Sequence, residues 1–512
     1  MGFAKYFNRD LIALNKLISS KSDDVFKGII ENHLISIELD EQINQPSEAY
    51  DCSELLIRIL CRFYPKIKLG ANSNVNSIQI NKLKKLAKEI NSNIEFADNK
   101  VLPTFIISLS KEICSDENVP HVYLGSNGWL AKLSQNKPLV FEITNNPFGA
   151  ILAACMAASN VFRYVFKDQL KLPLDTEIEL SAFDFSVSEN AGPSIEYVKL
   201  ANVTLVGIGA IGSATVWTLS KLKNLSGTIT LVDHEGVEES NLQRYILLKE
   251  KDITKKKVDV ALQNLRRSHL KVIPEKTEWG EFIHKKQNGN CTSRLVAVAV
   301  DSKEHRIHIQ SSLPKKIINA YTDESRFGIT RHPDFNSNVC LSCLYMPTVQ
   351  QKSKLDIMAE ELDMKGHEDL IYSYMQPDKF IDDNFLKIFG NKCSISMENL
   401  QAYKNKPFGE FYLKMVCGYK MIEIKKTDYN SELVDVPLSF QSCMAGIILA
   451  AEIVVESLKL DRENVRDVSQ FQVLDVIDEN NPSHFSRIKN YNGKCICGDR
   501  DYQDVYRLKW RE

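Results

Sequence analysis

The sequence predicts an α/β protein: a Rossmann-like nucleotide-binding unit on a mostly parallel sheet, preceded by a degenerate related α/β unit and carrying an inserted segment. Three observations carry that expectation. Val203-Thr-Leu-Val206, a glycine-rich turn, a helical stretch to Leu222 and Thr228-Ile-Thr-Leu-Val232 spell strand, turn, helix, strand. Leu295 to Val300 is a continuous apolar run ending in Asp301, the pattern of a strand buried on both faces of a parallel sheet. Two Ala-rich helical segments, each opened by aromatic and small residues, recur near the ends of the two halves.

Taken in order, residues 1–190 alternate short apolar runs with helical patterns. Val101 to Leu109 and His121 to Leu124 read as strands, and Gly149 to Phe166 as a long helix. The segment FSVSENAGPSIEYVKLAN, around residues 185–200, breaks that periodicity with polar, Gly and Pro residues and marks a boundary. Residues 191–349 carry the βαβ unit and a helix over Lys255 to Leu265. Residues 350–434 are polar, rich in Lys, Asp and Met and weakly periodic, and read as an inserted helical or irregular segment. The α/β pattern resumes over 435–512. Asn146-Pro-Phe-Gly-Ala-Ile-Leu-Ala-Ala-Cys155 and Pro437-Leu-Ser-Phe-Gln-Ser-Cys-Met-Ala-Gly-Ile-Ile-Leu-Ala-Ala451 echo each other. The echo is either coincidence or the mark of two related halves, the first without a glycine loop.

Composition excludes several classes. At about 150 residues per domain, 512 residues suggest about three units. Lys+Arg 64 against Asp+Glu 66 leaves a net charge of −2, with none of the basic excess of a dedicated nucleic-acid binder. No run approaches the roughly 18 consecutive apolar residues of a membrane span, and Ala445 to Val455, broken by Glu452, reads as a buried helix. The N-terminus turns polar too early for a signal peptide, and Tyr6 stands where an acylation motif needs Ser or Thr. A soluble cytoplasmic protein is expected, in which twelve cysteines are not a disulfide framework.

Gly207-Ile-Gly-Ala-Ile-Gly212 follows a strand and opens a helix. Its glycines permit a tight turn and close backbone approach, and the helix N-terminus attracts phosphate. Asp233 ends the next strand 21 residues past Gly212, where a carboxylate can bind ribose hydroxyls. A ligand-free packing turn is the alternative. Asn241, Arg244, Lys257 and Asp301 go beyond what a dinucleotide reader needs. Cations neutralise triphosphate charge and Asp301 could hold Mg²⁺, while Lys255 and Lys256 read as a solvated face.

Here the sequence resembles the ThiF/MoeB and ubiquitin-activating-enzyme family. The Gly207–Gly212 loop, Asp233…Ser240-Asn-Leu-Gln-Arg244, Asp252-Ile-Thr-Lys-Lys-Lys257 and Asp301…Arg306 follow its pattern in order and spacing, over roughly 200–350 and 435–500. The resemblance implies adenylation of the C-terminal carboxylate of a ubiquitin-like protein with Mg-ATP. Asp233 would bind ribose, Asn241, Arg244 and Lys257 the phosphates, and Asp301 the metal. Tyr245, Glu235 and Thr254 depart from the usual Gln, Asp and Gly. Larger members pair an inactive adenylation-like half with an active one, an internal pseudo-dimer, and the inactive half lends an arginine. Lys5-Tyr-Phe-Asn-Arg-Asp-Leu11 is similar to that segment, with one extra residue and Asp for Gln. Arg9 is therefore a candidate arginine finger, or else an ordinary surface arginine on an amphipathic first helix.

Cys340-Leu-Ser-Cys343 and Cys495-Ile-Cys497 read as a four-thiolate structural zinc site, with unlinked buried cysteines as the alternative. A thioester-forming cysteine would need an accessible thiol. Cys417 is favoured because it lies late in the insertion, where the family's crossover loop carries its nucleophile. Cys443 and Cys393 are the other candidates, or Cys417 is a buried structural residue. Cys52, Cys61, Cys114, Cys155 and Cys291 are expected in the core, and His305 and His308 on an exposed helix face.

The expected function is thus ATP-dependent activation of a ubiquitin-like protein, followed by thioester formation, with a conjugating enzyme downstream and no membrane or nucleic-acid partner. Compact two-halved enzymes of this kind resemble those of bacterial operons, some of them serving antiviral defence. The alternatives are an adenylyltransferase acting on a sulfur carrier, peptide or tRNA without thioester transfer, and a non-catalytic nucleotide-binding scaffold.

Overall fold

A computed structural model describes residues 2–18, 22–113, 118–187, 191–266, 268–323, 326–346, 354–376, 379–393, 395–412, 415, 437–462, 465–472, 482–487, 489 and 495–510. The chain divides into two compact units, Met1–Met346 with Asp435–Glu512, and Pro347–Val434.

The larger unit holds two sheets. The first comprises β1 (Ile35–Leu39), β2 (Lys66–Ala71), β3 (Glu95–Phe96), β4 (Phe105–Ser108), β5 (His121–Asn127), β6 (Leu130–Ser134) and β7 (Glu177–Ser181), in the order β3-β2-β1-β4-β5-β6-β7. Strands β1 to β5 pair in parallel, whereas β6 and β7 are added antiparallel. The second comprises β8 (Val198–Val206), β9 (Leu225–Val232), β10 (His269–Glu275), β11 (Leu295–Val298), β12 (Lys316–Asp323), β13 (Arg326–His332), β14 (Val468–Gln472) and β15 (Ser483–Phe485). Its order is β10-β9-β8-β11-β12-β13-β14-β15, with β8 to β12 parallel and the rest antiparallel. Through its first seven positions the second sheet repeats the order and sense of the first. All residues of β4 and β11 are buried, as central parallel strands covered on both faces require.

The two Ala-rich segments form equivalent helices, Phe148–Val165 between β6 and β7 and Ser439–Leu458 between β13 and β14. Both are long and apolar enough to cross a membrane, yet 94% and 83% of their apolar windows are buried inside the protein, so they are core helices. They pack on each other, with Phe162 and Phe440 ring centroids 5.9 Å apart. Gly446 lets the second helix close onto the helix Ala210–Leu219, since a Cβ there would collide with Ile211 and Ala214. The echo in sequence is therefore matched by equivalent positions in two sheets of one strand order.

The smaller unit is helical, with helices Lys354–Glu361, Glu368–Tyr374, Asp383–Cys393 and Met397–Leu400 around Phe385, Leu386, Phe389, Phe408 and Phe411. Short, aromatic-rich helices that pack mainly on one another leave only weak periodicity in sequence. Cys393 is half-buried there, its thiol donating to the Leu362 carbonyl at 3.3 Å.

Candidate functional site

The glycine loop joins β8 to the helix Ala210–Leu219 at the carboxyl end of the parallel strands. Gly207 has φ +89°, and a Cβ there would stand 2.7 Å from the Ala299 carbonyl oxygen, so only glycine fits both the backbone and the space. A Cβ on Gly212 would run into the Gly207 carbonyl, and Gly209 caps the helix with extended backbone. Asp233 closes the loop from the end of β9. Its Oδ2 accepts from the Ile208 N–H at 2.6 Å and its Oδ1 from the Glu235 N–H at 2.8 Å. Burial pushes its carboxyl up, against the pull of Lys257 and of those two N–H groups. Each carboxylate oxygen keeps a second lone pair for a ribose hydroxyl.

The chain then runs through a 3-10 turn, Glu239–Gln243, to Arg244. Asn241 spends its Oδ1 on the Glu238 N–H at 3.0 Å, and its amide nitrogen donates to none of the described residues. Burial lowers the Arg244 guanidinium pKa, and the Arg9 charge acts in the same direction while Tyr245, Asp301 and Asp10 act against it. Arg9, Asp301 and Asp10 thus all lie within electrostatic reach of Arg244. Lys257 opens the helix Lys257–Leu265 and is buried. Burial alone would lower its pKa, but Tyr245, Glu235 and Asp233 raise it, and Glu235 takes its ion pair. Lys255 pairs with Asp252 and Lys256 donates to the His234 carbonyl, both away from this group. Thr254 sits at φ +75°, a region that favours glycine, held by its N–H on Val237 at 2.9 Å.

Asp301 is exposed on the loop after β11. Buried Arg306 fixes this loop: its Nη1 donates to the Asp301 carbonyl at 3.1 Å and its Nε to Asn319 Oδ1 at 3.0 Å, with its guanidinium carbon 4.9 Å from the Tyr345 ring centroid. An exposed carboxylate within electrostatic reach of Arg244 is a chemically apt ligand for a divalent cation that also touches phosphate. His305 and His308 are exposed on the following helix and belong to no cluster of metal-ligating side chains among the described residues.

The first half reaches into this site twice. The helix Asn8–Leu17 places Arg9 within electrostatic reach of Arg244, and the next residue, buried Asp10, accepts from Gln243 Nε2 at 2.8 Å. Arg9 Nε is buried with no hydrogen-bond partner among the described residues. From the helix Glu48–Phe63, Arg62 donates to the carbonyls of Leu242, Tyr245 and Leu248 at 2.8, 2.9 and 2.8 Å, and Arg58 to that of Ile246 at 2.9 Å. None of Asp10, Arg58, Arg62 or Gln243 was expected at the site. Their partners in the opposite half are 180 or more residues away and mostly main-chain oxygens, which leave no pattern in sequence.

The four expected zinc ligands converge. Sγ separations are 3.7 Å for Cys340–Cys343, 3.4 Å for Cys340–Cys495, 3.3 Å for Cys343–Cys495 and Cys343–Cys497, and 3.6 Å for Cys495–Cys497. A tetrahedral ion with Zn–S bonds of about 2.3 Å would set them at about 3.8 Å, so the tetrad fits zinc after a small expansion. Beside it, the C-terminal helix Arg500–Lys509 is tied back through Tyr506 Oη to the Lys315 carbonyl at 2.7 Å.

Of the thioester candidates, Cys417 lies outside the described residues. Cys443 is fully buried against Cys155, so an acyl group cannot reach it without opening the core. Cys52, Cys61, Cys155 and Cys291 are buried as expected, and Cys114 lies outside the described residues.

Comparison with known proteins places two families on the chain. The ThiF family matches residues 185–495, and Prokaryotic E2 family C matches residues 38–167. The chain is 31% identical over 517 residues to the uncharacterized protein y4jF of Sinorhizobium fredii, covering 100% of this chain and 98% of that one. Over 73 residues it is 40% identical to the adenylyltransferase and sulfurtransferase uba4 of Neosartorya fischeri, 14% of this chain and 15% of the other. The crystal structure of E. coli MccB with ATP is similar over 59% of this chain and 68% of that one, at 13% identity and a TM-score of 0.35.

Proposed function

The chain belongs to the ThiF family, and from that premise we propose that it adenylates the C-terminal carboxylate of a ubiquitin-like protein with Mg-ATP and then carries the acyl group as a thioester. One observation carries the reading: the glycine loop, Asp233, Arg244, Lys257 and Asp301 stand at the carboxyl ends of the parallel strands, and Arg9 of the first half lies within electrostatic reach of Arg244. A bare dinucleotide site has no use for that many cations, whereas an α-phosphate under attack has.

In the first step a carboxylate oxygen of the partner attacks the α-phosphorus. A P–O bond forms, the α–β bridging bond breaks, and pyrophosphate leaves with the electron pair. The Gly207–Gly212 backbone and helix terminus hold phosphate, Asp233 holds ribose, and Arg244, Lys257 and Arg9 stabilise charge on the pentacoordinate phosphorus. Asp301 would hold Mg²⁺, which when bound neutralises phosphate charge. In the second step the Cys417 thiolate attacks the acyl carbon and AMP leaves. The four cysteines would hold zinc as a structural clamp, apart from the chemistry.

Residues 1–190 serve in this reading as the inactive adenylation-like partner, 191–349 and 435–512 as the active domain, and 350–434 as the crossover segment. The repeated strand order supports that pairing, as does the glycine-free turn after β1, Asp40-Glu-Gln-Ile-Asn44. An acyl-carrying role within 38–167 would need an accessible thiol, and among the described residues there Cys52, Cys61 and Cys155 are buried.

The test is ATP–pyrophosphate exchange with candidate ubiquitin-like proteins, followed by non-reducing gels for a thioester. Partner-dependent exchange lost in Asp301→Ala, and a thioester lost in Cys417→Ala, are expected. Exchange without a thioester would leave an adenylyltransferase alone; no exchange with any partner would leave a nucleotide-binding scaffold.

A further inference from the structure

Tyr245, next to Arg244, occupies the middle of the cation group. It is buried, and its ring centroid lies 5.5 Å from the Arg244 guanidinium carbon and 5.0 Å from the Lys257 ammonium. Both are inside the roughly 6 Å range over which an aromatic face attracts a cation. The hydroxyl lies 3.5 Å from Lys257 Nζ, and a Cβ placed on Gly209 would stand 3.6 Å from it. An ammonium only donates, so the phenol oxygen accepts from Lys257 and its own proton goes to no acceptor among the described residues. A spare donor thus stands against the glycine loop, at the turn where main-chain N–H groups of the helix terminus collect an anion.

We propose that Tyr245 is a phosphate-contact residue: its hydroxyl donates to a phosphate oxygen of the bound nucleotide, and its ring fixes the spacing of Arg244 and Lys257 around that oxygen. The assignment rests on the reading of the glycine loop as the ATP site. It gives the two parts of the side chain separate duties. The hydroxyl adds a neutral donor between two cations, and the ring gives each cation a favourable face that keeps both directed at the nucleotide. Tyr245 thus lies against Arg244, Lys257 and the glycine turn together.

Full-length wild type, Tyr245→Phe and Tyr245→Leu should be compared by calorimetric titration with Mg-ATP and with adenosine, with melting curves to verify folding. Tyr245→Phe should weaken Mg-ATP about tenfold, the size of one lost hydrogen bond to a charged acceptor, and leave adenosine within about twofold. Tyr245→Leu should weaken Mg-ATP further, because the ring is lost as well. In pyrophosphate exchange the Phe variant should raise the KM for ATP more than it lowers kcat. A Phe variant that binds Mg-ATP as wild type does, or one that loses ATP and adenosine equally, overturns the assignment while the nucleotide site stands. A folded wild type that binds no Mg-ATP overturns the nucleotide site and Tyr245 with it.

Discussion

Gln243 Nε2 donates to Asp10 Oδ1 at 2.8 Å across 233 residues of chain, and both side chains are buried. That bond anchors the first helix on the turn that presents Arg244, and it fixes Arg9 one residue from the anchor. Arg9→Ala should therefore lower pyrophosphate exchange about 10²- to 10³-fold, the range for losing one transition-state charge. ATP affinity should fall much less. Gln243→Leu should give a milder version of the same defect, because Arg9 remains but loses its anchor. An Arg9→Ala enzyme within twofold of wild type would make Arg9 a packing residue.

Arg62 should matter for stability and for the site together. Its guanidinium is satisfied by main-chain oxygens of Leu242–Leu248. Arg62→Met removes the donor to the Leu242 and Leu248 carbonyls, while the Tyr245 carbonyl keeps the Leu248 N–H and the Ile246 carbonyl keeps Arg58, and should cost about 3 kcal/mol in urea unfolding. Under native conditions its KM for ATP should also rise. A stability loss with no change in KM would make Arg62 a clamp between halves without influence on the nucleotide turn.

Asp301→Ala should abolish exchange with little effect on melting temperature, because the side chain is exposed. His305→Ala with His308→Ala should be silent in the same assay. If the double histidine variant loses activity instead, the metal ligands around Asp301 need redrawing.

The cysteine tetrad predicts one zinc per chain by plasma mass spectrometry. Cys343→Ser should bind substoichiometric zinc, and chelation should lower the melting temperature by about 5 °C or more through lost ligand linkage. Pyrophosphate exchange per folded molecule should survive at temperatures well below the new midpoint. Full zinc occupancy in Cys343→Ser would contradict a four-thiolate site.

Glu452 supplies a pH prediction. It is buried between Arg331 and Arg462, with Arg331 Nε at 2.8 Å and Arg462 Nη1 at 2.7 Å. Burial would raise its carboxyl, but the two arginines win and bring it down from 4.5 to about 2. The folded pKa is depressed, so the stabilisation is complete above about pH 4.5 and is lost as pH falls towards 2. Glu452→Gln should unfold about 3 kcal/mol more easily at pH 7 and lose part of the acid transition over that window. An unchanged acid transition would show that Glu452 does not carry it.

What the sequence made legible follows from distance along the chain. The glycine loop and Asp233 are set by short spacings within one βαβ frame, Lys257 opens a later helix and Asp301 follows β11, so each stands in a separately legible sequence context. The cysteine pairs were legible because two-residue and one-residue spacings already favour chelation. Arg58 and Arg62 were invisible, since a guanidinium bound to carbonyls selects no side chain on the far side, and Asp10 was invisible because its partner Gln243 lies 233 residues along the chain. Tyr245 was noticed only as a departure, and its place between two cations needed coordinates. The repeated strand order was hinted at only by the Ala-rich helices, because the first half turns through Asp40-Glu-Gln-Ile-Asn44 where the second uses glycines.

That Arg9 and Arg62 reach the nucleotide turn from the same polypeptide has a kinetic consequence. A site completed by a separate subunit empties on dilution, and its specific activity falls as the subunits part. Here the complementing surface is covalently tethered, so its effective concentration is fixed by the chain rather than by the solution. Turnover per molecule should stay constant down to the lowest enzyme concentration that can be assayed, and expression level would scale output without a threshold.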